Sequence, residues 1–252
     1  MSARTLDGRR GFLLGVTVCA VVAGAIGWFA QPARSQASTA QELDGRRLYV
    51  ASCSSCHGLD ARGTPDGPSL QGVGSASVDF MLSTGRMPLN QPGQQPVRQA
   101  PAFSPTQISA IVAYVATIAP GGPPIPVVDP AAGDLPHGFS VYTGVCSACH
   151  GAGATGDSIG GGQIAPPLGH STPVQIGEAI RIGPGTMPRF GEETLTDHDV
   201  DSVARYLTYL DAAKNPGGLP LGRYGPVAEG FVAVMFGFGL LLLVIRLTGT
   251  KT

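Results

Sequence analysis

The sequence predicts a mainly α chain in which two small tandem domains stand between an N-terminal and a C-terminal membrane helix. Three observations predict it. The pattern Cys-x-x-Cys-His occurs twice, at Cys53 to His57 and at Cys146 to His150. Each copy is followed, in the same order, by Pro-x-Leu, Met-Pro and a stretch of helical periodicity. Apolar runs near both ends are long enough to span a bilayer as helices.

In chain order, Arg4, Arg9 and Arg10 come first, followed by twenty uncharged residues from Gly11 to Ala30. That length crosses a hydrocarbon core and exceeds the usual apolar region of a signal peptide. Ser35-Gln-Ala37 also offers a small-x-small cleavage site. Residues 1–36 therefore read as a retained anchor or as a cleaved signal, and either one exports the two domains. Cys19 lies in this run as a small apolar residue, and no cysteine pair is left over for a structural disulfide.

The first domain is expected over residues 40–120. Cys-x-x-Cys-His is the attachment signature of c-type haem. Its thiols, Cys53 and Cys56, would add across the porphyrin vinyl groups, and His57 would become an axial iron ligand. An electron-transfer haem needs a second strong ligand. Met87, 30 residues beyond His57 in a glycine-rich Met-Pro loop, is the candidate, with Met81 as the local competitor. A carbonyl near Pro68 could accept the imidazole proton and raise ligand basicity; simple loop punctuation explains the proline equally well. The domain closes with a helix from Ser104 to Ile118. Ser104-Pro105-Thr106-Gln107 supplies an N-cap, a first-turn proline and a capping-box glutamine, and Ile108, Ile111, Val112 and Val115 form the apolar stripe.

Pro120-Gly-Gly-Pro-Pro-Ile-Pro126 can neither continue a helix nor join a central strand, which makes residues 121–135 a linker. The second domain, 136–215, repeats the first. Cys146 and Cys149 are the thioether candidates, His150 and Met187 the axial ligands, and Pro166-Pro-Leu168 answers Pro68-Ser-Leu70. Its closing helix runs from Thr196 to Leu210, with a threonine cap, acids in the first turn and an apolar stripe of Val200, Val203, Leu207 and Leu210. Tyr114 and Tyr206 occupy equivalent positions. His137, His170 and His198 fall outside the motif frames and read as surface or capping residues.

The C-terminal membrane helix is expected over 226–247. Arg246 and Lys251 flank its far end, which places the C-terminus in the cytoplasm and the two domains outside. Ala233 and Gly237 form a weak small-xxx-small pair that could admit a partner helix.

Composition excludes other classes. Charged residues make up 13% of the chain and formal net charge is −1, with no basic stripe, so no nucleic acid partner is expected. The 37 glycines and 22 prolines approach the composition of disordered chains, yet loops wrapped around a large apolar cofactor meet the same composition. No nucleophile–base motif, P-loop or dinucleotide fingerprint is present, so no catalytic residue is assigned. Structural zinc on the Cys-x-x-Cys pairs is disfavoured by the adjacent histidines, the repeat and the expected export.

The motifs, the repeat and the closing helices resemble class I cytochrome c domains in tandem. With the basic N-terminus, two exported domains and a C-terminal membrane helix, nearly the whole chain resembles the dihaem cytochrome c subunit of actinobacterial cytochrome bcc (quinol–cytochrome c reductase) complexes. That resemblance implies two covalently bound haem c groups and electrons taken from a Rieske iron–sulfur subunit beside a cytochrome b subunit. It also implies delivery to the copper site of an aa-type cytochrome c oxidase, with the chain embedded in membrane lipid. The alternatives are a dihaem subunit of a cbb-type oxidase or alcohol dehydrogenase, and a dihaem peroxidase. A peroxidase needs an open distal position, which two filled axial sites would deny.

Overall fold

The computed structural model describes residues 32–212 and 230–249, residues 32–40 by backbone alone. The N-terminal arginines, the apolar run from Gly11 to Ala30, Cys19 and the segment Asn215 to Pro220 lie outside the described residues. The chain divides into two units between Gly122 and Pro123, inside the proline- and glycine-rich stretch. The described part is mainly helical.

In the first unit, α1 (Pro32–Ser52) leads into the short α2 (Ser54–His57), which carries the first motif. Helices α3 (Ser75–Ser83) and α4 (Pro105–Ile118) follow, and both α1 and α3 pack on α4. The start of α4 is a complete capping box. The Gln107 N–H donates to the Ser104 hydroxyl at 3.4 Å, and the Ser104 N–H donates to the Gln107 side chain at 2.9 Å. Two of the helix's orphan donors are thereby satisfied. The stripe facing inward is Ile108, Ile111, Val112 and Val115, closed by Tyr49, Ala61, Leu82 and Tyr114.

The second unit repeats this frame. Helix α5 (Leu135–Val141) passes through one π-helical turn, Tyr142–Cys146, into α6 (Ser147–His150), which ends on the second motif. Helices α7 (Pro173–Ile182) and α8 (Asp197–Ala212) complete it, with α5 and α7 packed on α8. The cap of α8 is Thr196, whose hydroxyl accepts from the Asp199 N–H at 3.2 Å while the Asp199 carboxylate accepts from the Thr196 N–H at 2.8 Å. Its core is Tyr142, Ile176, Ile180, Val200, Val203, Ala204, Tyr206 and Leu207.

One element departs from the mainly helical expectation. An antiparallel hairpin, β1 (Asp157–Gly160) and β2 (Gln163–Ala165), lies between His150 and Pro166. It accounts for the longer spacing in the second repeat. Residues 157–164 are all exposed and carry no alternating apolar face, so the pattern that signals a strand is missing from the sequence.

Two glycines set the spacing of the helices. A Cβ on Gly45 of α1 would sit 2.1 Å from the Ala110 carbonyl oxygen, and one on Gly138 of α5 would sit 2.0 Å from that of Ser202. Both glycines lie eight residues before the first cysteine of their motif. Gly138→Ala would ordinarily stabilise a helix by about 1 kcal/mol. Here the methyl group meets backbone, which cannot rotate away, and forcing helices apart costs about 1–3 kcal/mol. The melting temperature of the purified protein should therefore fall for Gly138→Ala; a rise would show that α5 and α8 do not approach this closely.

The helix Gly230–Thr248 is long and apolar enough to cross a membrane, and all its side chains are exposed. Residues Ala233–Phe238 are π-helical, and α9 (Gly239–Thr248) continues the span. Ala233 and Gly237 both fall inside the π segment, so the α-helical register that a small-xxx-small contact assumes is replaced there.

Candidate functional site

Each Cys-x-x-Cys-His motif is a single helical turn followed by a loop that folds back under the histidine. The His57 Nδ1–H donates to the Pro68 carbonyl at 2.8 Å, and the His150 Nδ1–H donates to the Pro166 carbonyl at 3.0 Å. A carbonyl can only accept, so the shared proton sits on Nδ1 and the Nε2 lone pair is left for a metal. The rest of each loop is equally repeated. The Gly63 N–H donates to the His57 carbonyl at 2.8 Å, as the Gly156 N–H does to that of His150 at 3.0 Å. The Leu70 N–H reaches the Ala61 carbonyl at 2.8 Å, as the Leu168 N–H reaches that of Ala154 at 2.9 Å.

Ala61 and Ala154 hold these turns at φ +58° and +57°. An L-residue in that region costs roughly 1–2 kcal/mol. Both alanines are buried in their cores, where the loop's hydrogen bonds and packing hold the conformation.

A buried tyrosine anchors each turn from below. The Tyr49 hydroxyl donates to the Gly58 carbonyl at 2.7 Å, and the Tyr142 hydroxyl donates to the Gly151 carbonyl at 2.7 Å. These are the carbonyls immediately after the two histidines. Burial pushes the Tyr49 phenol up to about 12 and raises that of Tyr142 as well, so both stay protonated donors. Tyr49 packs on Tyr114 with ring centres 5.6 Å apart, and Tyr142 on Tyr206 at 5.3 Å.

Cys53, Cys56 and Cys146 are half-buried and Cys149 is exposed. Burial, with the neighbouring thiol second, pushes Cys53 and Cys146 up to about 11. Neither of these two is a ready thiolate at neutral pH. Met87 is half-buried and packs with Cys53 against the core of the first unit; Met187 packs with Cys146 against that of the second. The Met87 N–H donates to the Met81 carbonyl at 3.0 Å, so Met81 holds the Met87 loop through its backbone. Met187 is tied differently, to the Pro184 carbonyl at 3.2 Å. Away from these loops, His137 Nε2 meets an Asp199 carboxylate oxygen at 2.6 Å and stacks on His198 with ring centres 5.7 Å apart. The Thr196 hydroxyl above all, with His137, holds the Asp199 carboxyl below the usual range.

Each unit thus carries two thiols, an imidazole whose Nδ1 is held by a carbonyl and a half-buried thioether, residues whose chemistry fits a covalently held haem. A guanidinium nitrogen of Arg86, buried without a hydrogen-bond partner, belongs to the residue next to Met87 and fits a carboxylate-bearing guest. The tyrosine–carbonyl bonds, the left-handed alanines and the two spacing glycines were not evident from the motifs. Their signal was their constant offset from the cysteines.

Comparison with known proteins agrees with the geometry. Residues 43–119 match the family model described as cytochrome c, and residues 133–207 match the one described as cytochrome c oxidase, cbb3-type, subunit III. Proteins named cytochrome bc1 complex cytochrome c subunit align along most of the chain. The one from Mycobacterium tuberculosis is 35% identical over 245 residues, covering 93% of this chain and 87% of its own length. That from Mycobacterium leprae is 36% identical over 210 residues, covering 79% and 72%. That from Corynebacterium diphtheriae is 30% identical over 270 residues, covering 99% and 95%. With paired attachment loops, cytochrome c domains and full-length relatives in agreement, the chain belongs to the family of cytochrome bc1 complex cytochrome c subunits, electron-transfer subunits carrying covalently bound haem c.

Proposed function

We propose that the chain is the dihaem relay of a membrane quinol:cytochrome c oxidoreductase, taking electrons from a Rieske iron–sulfur centre and passing them towards the copper site of an aa-type oxidase. The observation that carries this reading is the paired Nδ1–H···O=C bond, made by His57 to Pro68 and by His150 to Pro166. One haem c in each domain, 40–120 and 136–215, supplies reversible one-electron chemistry. Cys53 and Cys56, and Cys146 and Cys149, hold the two groups as thioethers. His57 and His150 would offer Nε2 to the iron, with the carbonyl bond fixing the ring plane and raising the imidazole's basicity. Met87 and Met187 would each offer a thioether as a further iron ligand, which would raise the potential of the group.

Residues 121–135 join the two domains, with Asp129 and Gly133 already bonded to α8 of the second unit, and the span 226–247 anchors them in lipid. Arg246 and Lys251 put the C-terminus in the cytoplasm and the haem domains on the opposite face. The relatives named for a bc1 complex support a Rieske subunit and a cytochrome b subunit as partners. Quinol oxidation is then assigned to those partners and none of it to this chain.

The match of residues 133–207 to a cbb3-type oxidase subunit III favours a second reading, as an oxidase subunit. That match stops within one domain, whereas the bc1-complex relatives extend over as much as 99% of the chain. Purification in gentle detergent, with identification of bound subunits and a redox spectrum of the same sample, tests the choice. Recovery with a Rieske subunit and cytochrome b is expected. Recovery with an oxidase catalytic subunit and no Rieske protein would select the second reading.

A further inference from the structure

In the first unit, the segment leaving α3 is laid against the residues before α4. The Gln99 N–H donates to the Thr84 carbonyl at 3.1 Å. Gly85, at φ +66°, approaches so closely that a Cβ there would fall 2.3 Å from the Gln99 carbonyl oxygen. This pairing lays the stretch that carries Arg86 against the stretch that carries Arg98, and burial first, with the Arg98 charge second, disfavours the charged form of Arg86. The Arg86 guanidinium lies 4.8 Å above the Phe80 ring, and its Nη1 is buried without a hydrogen-bond partner. A charged donor taken out of water and given no acceptor is costly, and a neighbouring cation makes it more so. An anion at this point removes both costs, and a planar guanidinium binds carboxylate through two parallel hydrogen bonds.

In the second unit the residue before Met187 is Thr186, so that position carries no arginine. Beside the Met187 loop, Arg181 donates from Nη1 to the Leu195 carbonyl at 2.6 Å and to the Phe190 carbonyl at 3.3 Å, and its Nη2 pairs with Asp197 at 2.6 Å. Its donors are committed to the protein.

We propose that Arg86 and Arg98 are a carboxylate-binding pair for the propionates of the haem held by the first unit, and that this pair makes the two haem sites electrostatically unequal. The proposal rests on the haem reading above. The carboxylate arrives with the cofactor, because Arg86 adjoins Met87, which packs with Cys53 on one core. Two cations beside the propionates disfavour the extra positive charge of the oxidised centre. They also hold the propionates ionised across the working pH range.

The test uses the full-length chain in detergent with one motif disabled at a time, so that each potentiometric titration reads a single centre. With Cys146→Ala and Cys149→Ala in place, Arg86→Gln should lower the midpoint potential of the remaining haem and make it vary with pH near neutrality. Arg86→Lys should recover part of the potential. With Cys53→Ala and Cys56→Ala in place, Arg86→Gln should change nothing. If Arg86→Gln takes up no haem, Arg98→Gln, whose side chain is exposed, must show the same fall and pH dependence. Haem-stained variants with unchanged potential and pH profile would overturn the pair. So would variants that lose only a bound subunit, which would assign the arginines to a partner's carboxylate. Absence of covalent haem from the unaltered chain would instead overturn the haem reading itself.

Discussion

Replacing Cys53 and Cys56 together by alanine should leave one covalent haem on the chain instead of two, read by haem staining after denaturing electrophoresis. The residual stain is expected at about half the original intensity, with two thioether attachments lost and two kept. The second haem should survive because its loop, its Tyr142 anchor and its core are built from residues of the second unit alone. The first unit should also lose stability. Cys53 packs on a core that includes Tyr49, Ile111 and Tyr114, and without the haem the apolar surface around it stays wet. Full stain in the double variant would remove the first motif from the haem assignment.

Met187→Leu should keep both covalent haems yet lower the potential of one centre and slow electron throughput. Leucine fills nearly the same volume, so packing against the core of Leu195, Val203 and their neighbours is largely kept and the change isolates the sulfur. Axial ligands and their surroundings spread haem potentials over roughly 0.8 V, so losing a thioether ligand should shift the centre well beyond titration error. A long-wavelength thioether–iron band should disappear for that centre only. An unchanged spectrum and potential would take Met187 out of the ligand set. Met81, half-buried on α3, is the natural control in the first unit, where Met87→Leu should have the large effect and Met81→Leu little.

Much of this was legible in the chain because the relevant signals are local. Ser104 and Gln107, three residues apart, make their capping box wherever the rest of the molecule lies. The stripe of Ile108, Ile111, Val112 and Val115 follows from helical periodicity alone. The hairpin at 157–165 escaped for the opposite reason: its strands are exposed, so no face had to be apolar.

The sequence by itself determined the two haem-attachment motifs, the repeat around them and, through caps and apolar stripes, the closing helices, since each is written in contiguous residues. The tertiary structure alone decided which nitrogen of each histidine is protonated, because Pro68 and Pro166 lie 11 and 16 residues away and meet the ring only when the loop closes. It also decided that Gly45 and Gly138 are spacers between helices. Above all, it showed the repeats to be unequal. Arg86, beside Met87, keeps a buried donor without an acceptor, whereas Thr186 stands before Met187 and the nearby Arg181 is held by Asp197 and two carbonyls. Whether each arginine finds an acceptor depends on partners distant in the chain, and a pattern of neighbours in sequence carries no record of them.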